Sequence, residues 1–312
     1  MTDYAQFRLA AVQAAPVYFD REASTKKACD LIRQAGAKGA TLAAFSETWL
    51  PGYPFFVWLN IPDFDLLTKI RADYLANAIE IPSTTTEQLC EAAREANVDV
   101  VIGVAERDRQ TRGTVYCTLL FISNEGHILG RHRKLKPTDL ERTAWGEGDG
   151  TGLVVYERPF GRLSGLNCWE HNMVLPGYAL MAQGTQIHVA AWPGTSSSRH
   201  LLLSQAFASQ AAAYVIDVGA LCTAQDLPPA YRELDRPMAG HSHIVNPFGE
   251  VIAGPAEGET ILLADGSTEQ IFAAKVDCDV AGHYSRPDIF QLHINRSPLR
   301  RLVEMNQPWS CG

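Results

Sequence analysis

Leu163–Pro193 reads LSGLNCWEHNMVLPGYALMAQGTQIHVAAWP. Leu163–Leu166 is a short apolar run suited to a buried strand, and it gives way to Cys168-Trp169-Glu170-His171. Leu175, Leu180 and Met181 then follow a helical pattern, and Gln186–Trp192, with IHVAAW at its core, reads as a second strand. A cysteine on the bend between a strand and a helix is displayed at a sheet's carboxyl edge. Free backbone N–H groups there favour first a thiolate and later an oxyanion. Free cysteines more commonly pack as small core residues. A bend crowded by Asn167, Trp169, Glu170 and His171 is a poor setting for an inert thiol, so Cys168 is read as chemically active.

The same layout recurs upstream. Arg8–Ala14 is a first strand, stopped by Pro16, and Asp20 can cap the helix whose apolar positions are Ala28, Leu31, Ile32 and Ala35. Thr41–Phe45 is a short buried strand ending at Ser46-Glu47, so a carboxylate also stands just beyond a strand end. Pro51-Gly52-Tyr53-Pro54 forces an irregular loop among Trp49, Tyr53, Phe55, Phe56 and Trp58, which suits a pocket wall, a subunit contact or a satellite core. A helix within Asp63–Ala78 is followed by Thr84-Thr85-Thr86-Glu87, which has capping-box spacing, and by the stripe Leu89, Ala92, Ala93 and Ala96. Val98–Val104 and Thr114–Ile122 are strands, and Asn124-Glu125-Gly126 turns the second into His127–Lys134 as a hairpin. The basic run Arg131–Lys134 fits a solvated edge strand. Strand alternation nevertheless sends His132 and Lys134 to one face, and Arg131 and Arg133 to the other.

Downstream, Arg199–Ala213 reads as a helix and Tyr214–Val218 as a strand. Thr223–Ala239 has few periodic apolar positions and is expected to be the most flexible segment, with Thr223–Asp235 a candidate pocket lid. Ser242–Val245 and Val251–Ala253 pair across Asn246-Pro247-Phe248-Gly249-Glu250. Thr260–Leu263 is a further strand, and Glu269–Lys275 is helical. Strands and helices alternate without a repeat or linker, so one α/β domain over residues 1–290 is expected, with a tail over 291–312.

The 312 residues are 46% hydrophobic and 20% charged, as in an ordinary globular protein. A net charge of −8 argues against a nucleic-acid partner, which usually meets a basic face. The N-terminus lacks the basic and apolar regions of a secretory signal, and no apolar run approaches the ~18 residues of a membrane span. The seven cysteines are scattered, odd in number and never spaced C-x-x-C, which suits a reducing cytoplasm and neither a disulfide framework nor a structural zinc site.

Three segments, FSETWLPGYP, HRKLKPTDLERTAWGEGDG and GLNCWEHNMVLPGYALMAQGTQIHVAAWP, resemble the signature segments of the nitrilase branch of the carbon–nitrogen hydrolase superfamily, in the same order and at similar separations. GHSHIVNPFGEVIAGP and DVAGHYSRPDIF resemble that branch too, so the likeness runs from Arg8 to Phe290. The resemblance implies a four-layer αββα sandwich that pairs through helices with a second subunit, as a homodimer or a higher homo-oligomer such as a spiral. It implies a Glu–Lys–Cys triad carried by Glu47, Lys134 and Cys168, with Glu141 as a second glutamate. Lys134, directly after Arg133, is the motif lysine; Lys136 is not. His171 stands where many nitrilases have Asn and resembles arylacetonitrile-hydrolysing and cyanide-hydrating members, although a hydrogen-bonded supporting role fits equally. Tyr53, Trp169, His171 and Trp192 are candidate substrate-binding residues, against plain core packing.

The implied substrate is a small-molecule nitrile, with water. The chemistry asks for these residue types. A nitrile carbon is a poor electrophile and a thiol a weak nucleophile until deprotonated. Glu47 is expected to serve as base on the thiol, acid towards departing ammonia and base on the hydrolytic water. Lys134 supplies fixed positive charge, the Trp169 N–H shares that role, and Glu141 holds Lys134 protonated. Neither a metal nor an organic cofactor is needed. An amidase of the same superfamily shares the triad, and a catalytically silent oligomeric scaffold is the alternative outside enzymology.

Overall fold

The computed structural model describes residues 4–194, 198–234 and 236–303; Cys311 lies outside them. The strands are β1 (Gln6–Gln13), β2 (Leu42–Phe45), β3 (Asp99–Arg107), β4 (Val115–Ile122), β5 (Ile128–Arg133), β6 (Tyr156–Arg158), β7 (Gly161–Asn167), β8 (Ile187–Trp192), β9 (Tyr214–Gly219), β10 (Leu221–Cys222), β11 (Met238–Ala239), β12 (His243–Val245), β13 (Val251–Ala253) and β14 (Thr260–Ser267). The helices are α1 (Arg21–Ala37), α2 (Phe64–Asn77), α3 (Thr84–Ala96), α4 (Val174–Met181), α5 (Ser198–Ala211) and α6 (Thr268–Asp277). One sheet runs β14-β1-β2-β3-β4-β5 and the other β13-β12-β9-β8-β7-β6. β1, β2 and β3 are mutually parallel, as are β7, β8 and β9, with antiparallel strands flanking each trio.

The period-2 alternation of strand side chains builds the layers. Leu9, Ala11, Leu42, Ala44, Val101 and Phe121 face Leu163, Ile187, Val189, Ala191 and Ile216 across the gap between the sheets. Their alternates Ala10, Val12, Ala43, Phe45, Val100 and Ile102 pack under Ala28, Ile32 and Ala35 of α1 and Leu89, Ala92 and Ala93 of α3. On the outer face of the second sheet, Ala190, Trp192 and Val215 meet Met181 of α4 and Phe207, Ala208 and Ala211 of α5. Helix, sheet, sheet and helix make the expected αββα sandwich. No helix among the described residues is long and apolar enough to cross a membrane.

Several local expectations change. The cap of α3 is Ser83 rather than Thr84: its backbone N–H donates to Thr86 Oγ1 at 2.8 Å, so the reciprocal bond starts one residue earlier. Thr223–Ala239 is packed: Leu227, Tyr231 and Met238 are buried in a cluster with Phe55, Phe56 and Tyr74, and β10 pairs with β11. Single apolar side chains insert from short 3-10 turns there, which leaves no period to read in sequence. Asp235, within the suggested lid, is outside the described residues. Leu175 faces outward, because α4 is two turns long and turns Pro176, Leu180 and Met181 inward. The described part of the tail, residues 291–303, has no regular structure but crosses the body: Leu299 N–H donates to Asp149 Oδ2 at 2.9 Å, and Arg301 reaches Asp108 at 3.2 Å and the Tyr116 hydroxyl at 2.8 Å.

Candidate active site

Three strand ends converge. Glu47 follows β2, Lys134 follows β5 and Cys168 follows β7. Thr48, Asp139 and Cys168 hold positive φ of 42°, 44° and 48°, so the backbone turns sharply at each of the three site segments. For non-glycine residues that conformation costs roughly 1–2 kcal/mol, which the surrounding packing must offset. Gly103 of β3 lets the Glu47 turn lie close: a Cβ there would fall 2.1 Å from the Ser46 carbonyl oxygen and 2.5 Å from the Thr48 nitrogen. The backbone N–H of Lys134 donates to the Cys117 carbonyl at 2.8 Å, extending the β4–β5 ladder to the residue that needs fixing. The pleat behaves as expected, with His132 and Lys134 buried while Arg131 and Arg133 pair with Glu106 on the other face.

Lys134 Nζ donates to Glu47 Oε1 at 2.8 Å and to Glu141 Oε2 at 2.7 Å, and all three side chains are buried. Glu141 is itself fixed, accepting from the Thr138 N–H and the Tyr53 hydroxyl, each at 2.7 Å; Trp58 Nε1 donates to that hydroxyl at 2.8 Å. Oxygens of Glu47 and Glu141 and the Cys168 sulfur lie within 4.8 Å of one another. Two carboxylates and a thiol form a set that a divalent cation could use, but the Lys134 ammonium already supplies the positive charge between the carboxylates. Burial works against the charge on Lys134, yet Glu47, Cys168 and Glu141 together hold its pKa well above the ordinary lysine value. Burial pushes the Glu47 carboxyl up to about 7; the Lys134 charge pulls against this and the Glu141 charge adds to it. Burial raises the Cys168 thiol well above its usual range, with Lys134 opposing and Glu47 and Glu141 reinforcing.

These directions fix the resting state. Near neutral pH, Cys168 is a thiol, Lys134 is charged and Glu47 is poised at the edge of ionisation. Glu47 Oε1 is held by Lys134 and by the Cys117 thiol at 3.4 Å, whereas Oε2 is buried without a hydrogen-bond partner among the described residues. A carboxylate tied at one oxygen and free at the other can take a proton from a nearby thiol and return it.

A cavity of about 270 Å³ opens onto Cys168, lined also by Tyr53, Trp58, Glu141, Trp169, Arg236 and Met238 among others. Tyr53 and Trp169 therefore sit where a bound molecule would be touched, with Trp169 40% exposed. His171 and Trp192 do not line it. They stack on each other behind Cys168, ring centroids 5.0 Å apart, and His171 instead lines a separate cavity of about 480 Å³ between α4 and α5.

Sequence reasoning did not single out Glu170, His132 or His188. Buried Glu170 accepts from the Asn167 N–H at 2.9 Å and the Leu135 N–H at 2.8 Å, and His132 Nε2 lies 3.0 Å from both its oxygens. Burial opposes the Glu170 charge, but His132 and the two N–H bonds outweigh it and lower its pKa. The burial of His132 was signalled by its sharing a strand face with Lys134. Trp145 was also missed; its ring lies 5.3 Å from Lys134 Nζ and its Nε1 donates to the Tyr74 hydroxyl at 3.0 Å.

A profile of the carbon-nitrogen hydrolase family matches residues 8–275. The chain is 56% identical to Nitrilase 2 of an unknown prokaryotic organism, over 97% of each chain. It is 40% identical to the aliphatic nitrilase of Sinorhizobium fredii (strain HH103), over 96% of this chain and 98% of that one. Among solved structures, Saccharomyces cerevisiae Nit3, a member of branch 10 of the nitrilase superfamily, superimposes with a TM-score of 0.72 at 18% identity, covering 90% of this chain and 97% of its own. The C. elegans NitFhit protein does so with a TM-score of 0.74 at 21% identity, covering 96% and 70%. With its fold, its matched profile and these relatives, the chain belongs to the carbon–nitrogen hydrolase family, in the nitrilase branch of that superfamily.

Proposed function

We propose that this protein is a nitrilase, converting an organic nitrile and two waters into a carboxylic acid and ammonia. The observation that carries the reading is the buried Glu47–Lys134–Glu141 cluster beside Cys168, in a chain 56% identical to a nitrilase. Glu47 takes the thiol proton as sulfur attacks the nitrile carbon, and the C≡N nitrogen receives a proton to give a thioimidate. Water, deprotonated by Glu47, adds to that carbon; the C–N bond then breaks with proton return, releasing ammonia and leaving a thioester. A second water cleaves the C–S bond, giving the acid and restoring the thiol. Lys134 and the Trp169 N–H oppose the negative charge that develops in each tetrahedral state. Tyr53 and Trp169 contact the substrate, and the 270 Å³ cavity suits a small nitrile.

The reading extends to organisation. Residues 1–290 form the catalytic domain and 291–312 a tail, a division supported by the contacts that Leu299 and Arg301 make with the body. The exposed apolar residues Val174, Leu175 and Leu202 on α4 and α5 support pairing with a second copy into a homo-oligomer. The scattered cysteines, never spaced C-x-x-C, support a cytoplasmic setting.

Ammonia release from a panel of nitriles and the matching amides, wild type beside Cys168→Ala, tests the reading. Turnover of nitriles that disappears in the variant is expected. Turnover of amides alone would make the protein an amidase, and inertness to both would favour a scaffold.

A further inference from the structure

His171 Nδ1 lies 2.7 Å from the carbonyl oxygen of Cys168. A carbonyl only accepts, so Nδ1 carries the proton. His171 Nε2 lies 3.0 Å from His188 Nε2. Burial keeps both rings neutral, pushing His171 down to about 4 and His188 well below the ordinary histidine value. With its proton on Nδ1, His171 presents a lone pair at Nε2, so His188 donates there and has an acceptor left at Nδ1. Ser164 Oγ, 2.8 Å away, donates to that nitrogen, and Thr185 Oγ1, 2.6 Å from Ser164 Oγ, donates in turn to Ser164. Every hydrogen in this buried chain thus has one direction, set by the Cys168 carbonyl. The rings are clamped as well: His171 stacks on Trp192 and His188 on Phe207, with centroids 5.0 and 3.9 Å apart.

The peptide group that His171 grips is the one joining Cys168 to Trp169. In a trans peptide the C=O and N–H point in opposite directions, so holding the oxygen aims the N–H. The Trp169 N–H, the other end of that peptide, acts with Lys134 to lower the Cys168 thiol pKa against its burial, and Cys168 itself holds φ 48°. We propose that His171, ordered by His188, Ser164 and Thr185, is a positioning residue that aims the Trp169 N–H at the charge forming on the sulfur and on the attacked substrate. It acts through the peptide, since neither histidine lines the cavity that opens onto Cys168. The turnover part of this assignment rests on the nitrilase reading.

Amide side chains separate the atoms involved. At position 171, Asn places an N–H where Nδ1 stands, and Gln places one where Nε2 stands. His171→Asn is expected to keep kcat within about threefold of wild type, whereas His171→Gln and His171→Ala lose roughly 10- to 100-fold in kcat with little change in KM, a misaimed donor costing somewhat less than a deleted one. At position 188 the preference reverses. His188→Gln still donates to His171 Nε2, while His188→Asn and His188→Phe free His171 to exchange tautomers and lose activity. A second readout needs no turnover: the pH dependence of Cys168 alkylation by iodoacetamide, followed on its peptide by mass spectrometry. The apparent thiol pKa is expected to rise in His171→Ala and His171→Gln and not in His171→Asn. Equal kcat and equal thiol pKa across Asn, Gln and Ala, or a loss confined to KM, would overturn the assignment. If His171→Ala does not fold, the Gln-against-Asn contrast at 188 decides. Should wild type turn over no nitrile, the nitrilase reading falls, and the alkylation profiles still decide the positioning role.

Discussion

Glu141→Gln removes one negative charge and little else. With its amide oxygen turned to Lys134 and Thr138, the glutamine accepts the two 2.7 Å bonds that Oε2 accepts now, and its N–H group meets the Tyr53 hydroxyl. Glu47 feels the lost charge. Its carboxyl lies within 4.8 Å of that of Glu141, a separation at which two unit charges repel by ~3.5 kcal/mol at an effective dielectric constant of about 20. Lys134, bonded to both, cancels part of this; half of it corresponds to ~1 pH unit. Burial pushes the Glu47 carboxyl up to about 7 and the Glu141 charge adds to this, so removing that charge lowers its titration by roughly that amount. Glu47 acts as a base only when ionised, so the acid limb of kcat/KM should move to lower pH by that amount. The plateau should fall as well, because a weaker base drives proton transfer less strongly. The assay is ammonia release from the best nitrile across the neutral range at constant ionic strength, with Cys168 alkylation as a parallel probe. An acid limb that stays in place, or moves to higher pH, would refute the electrostatic coupling between the two glutamates.

Three further perturbations test other parts of the site. Gly103→Ala would drive a methyl group into the backbone of the Glu47 turn, with contacts of 2.1 and 2.5 Å, so a loss of about 3 kcal/mol is expected as a lower urea midpoint at unchanged slope, together with reduced kcat. Lys134→Met would leave Glu47 and Glu141 buried without a cation; turnover should vanish, and stability should fall by about 3–5 kcal/mol at neutral pH and recover in acid as the carboxyls protonate, which thermal melts at several pH values would show. Glu170 has a folded pKa below its unfolded value, so its stabilisation is complete above about pH 4.3 and is lost as pH falls through the folded value; Glu170→Gln should cost about 2 kcal/mol at neutral pH and flatten the acid side of the stability curve, and an unchanged acid slope would count against that role.

What could be read from the sequence were features written along one element. The pleat placed Lys134 and His132 together and sent Arg131 and Arg133 to Glu106, because alternation is a property of a single strand. The apolar runs before Glu47 and Cys168 marked both as strand-end residues, and their likeness to known segments supplied the roles. What escaped depends on two distant segments meeting. The bonds from Glu170 to His132 and Leu135 span 38 and 35 positions and exist only once the two sheets pack. The His171–His188 contact joins a turn to a parallel strand in the same way. Tyr53 was marked for the pocket by its aromatic loop, but only the fold shows its hydroxyl bonded to Glu141.

Glu170 also explains how two sheets hold one reaction centre. Glu47 and Lys134 come from the first sheet and Cys168 from the second, so their spacing is a spacing between layers. Apolar packing between sheets tolerates small sliding motions, because dispersion and burial are not directional. Hydrogen bonds are directional, and weaken within a few tenths of an ångström. The Glu170 carboxylate bonds the N–H of Asn167, directly before the thiol, and the N–H of Leu135, directly after the ammonium. A shift of either strand end relative to the other would stretch one of these bonds inside a region closed to water, where a broken charge-assisted bond costs about 1.5–3 kcal/mol. One buried carboxylate that touches the neighbour of each therefore ties Cys168 to Lys134, and the proposed catalytic groups themselves remain free to exchange protons.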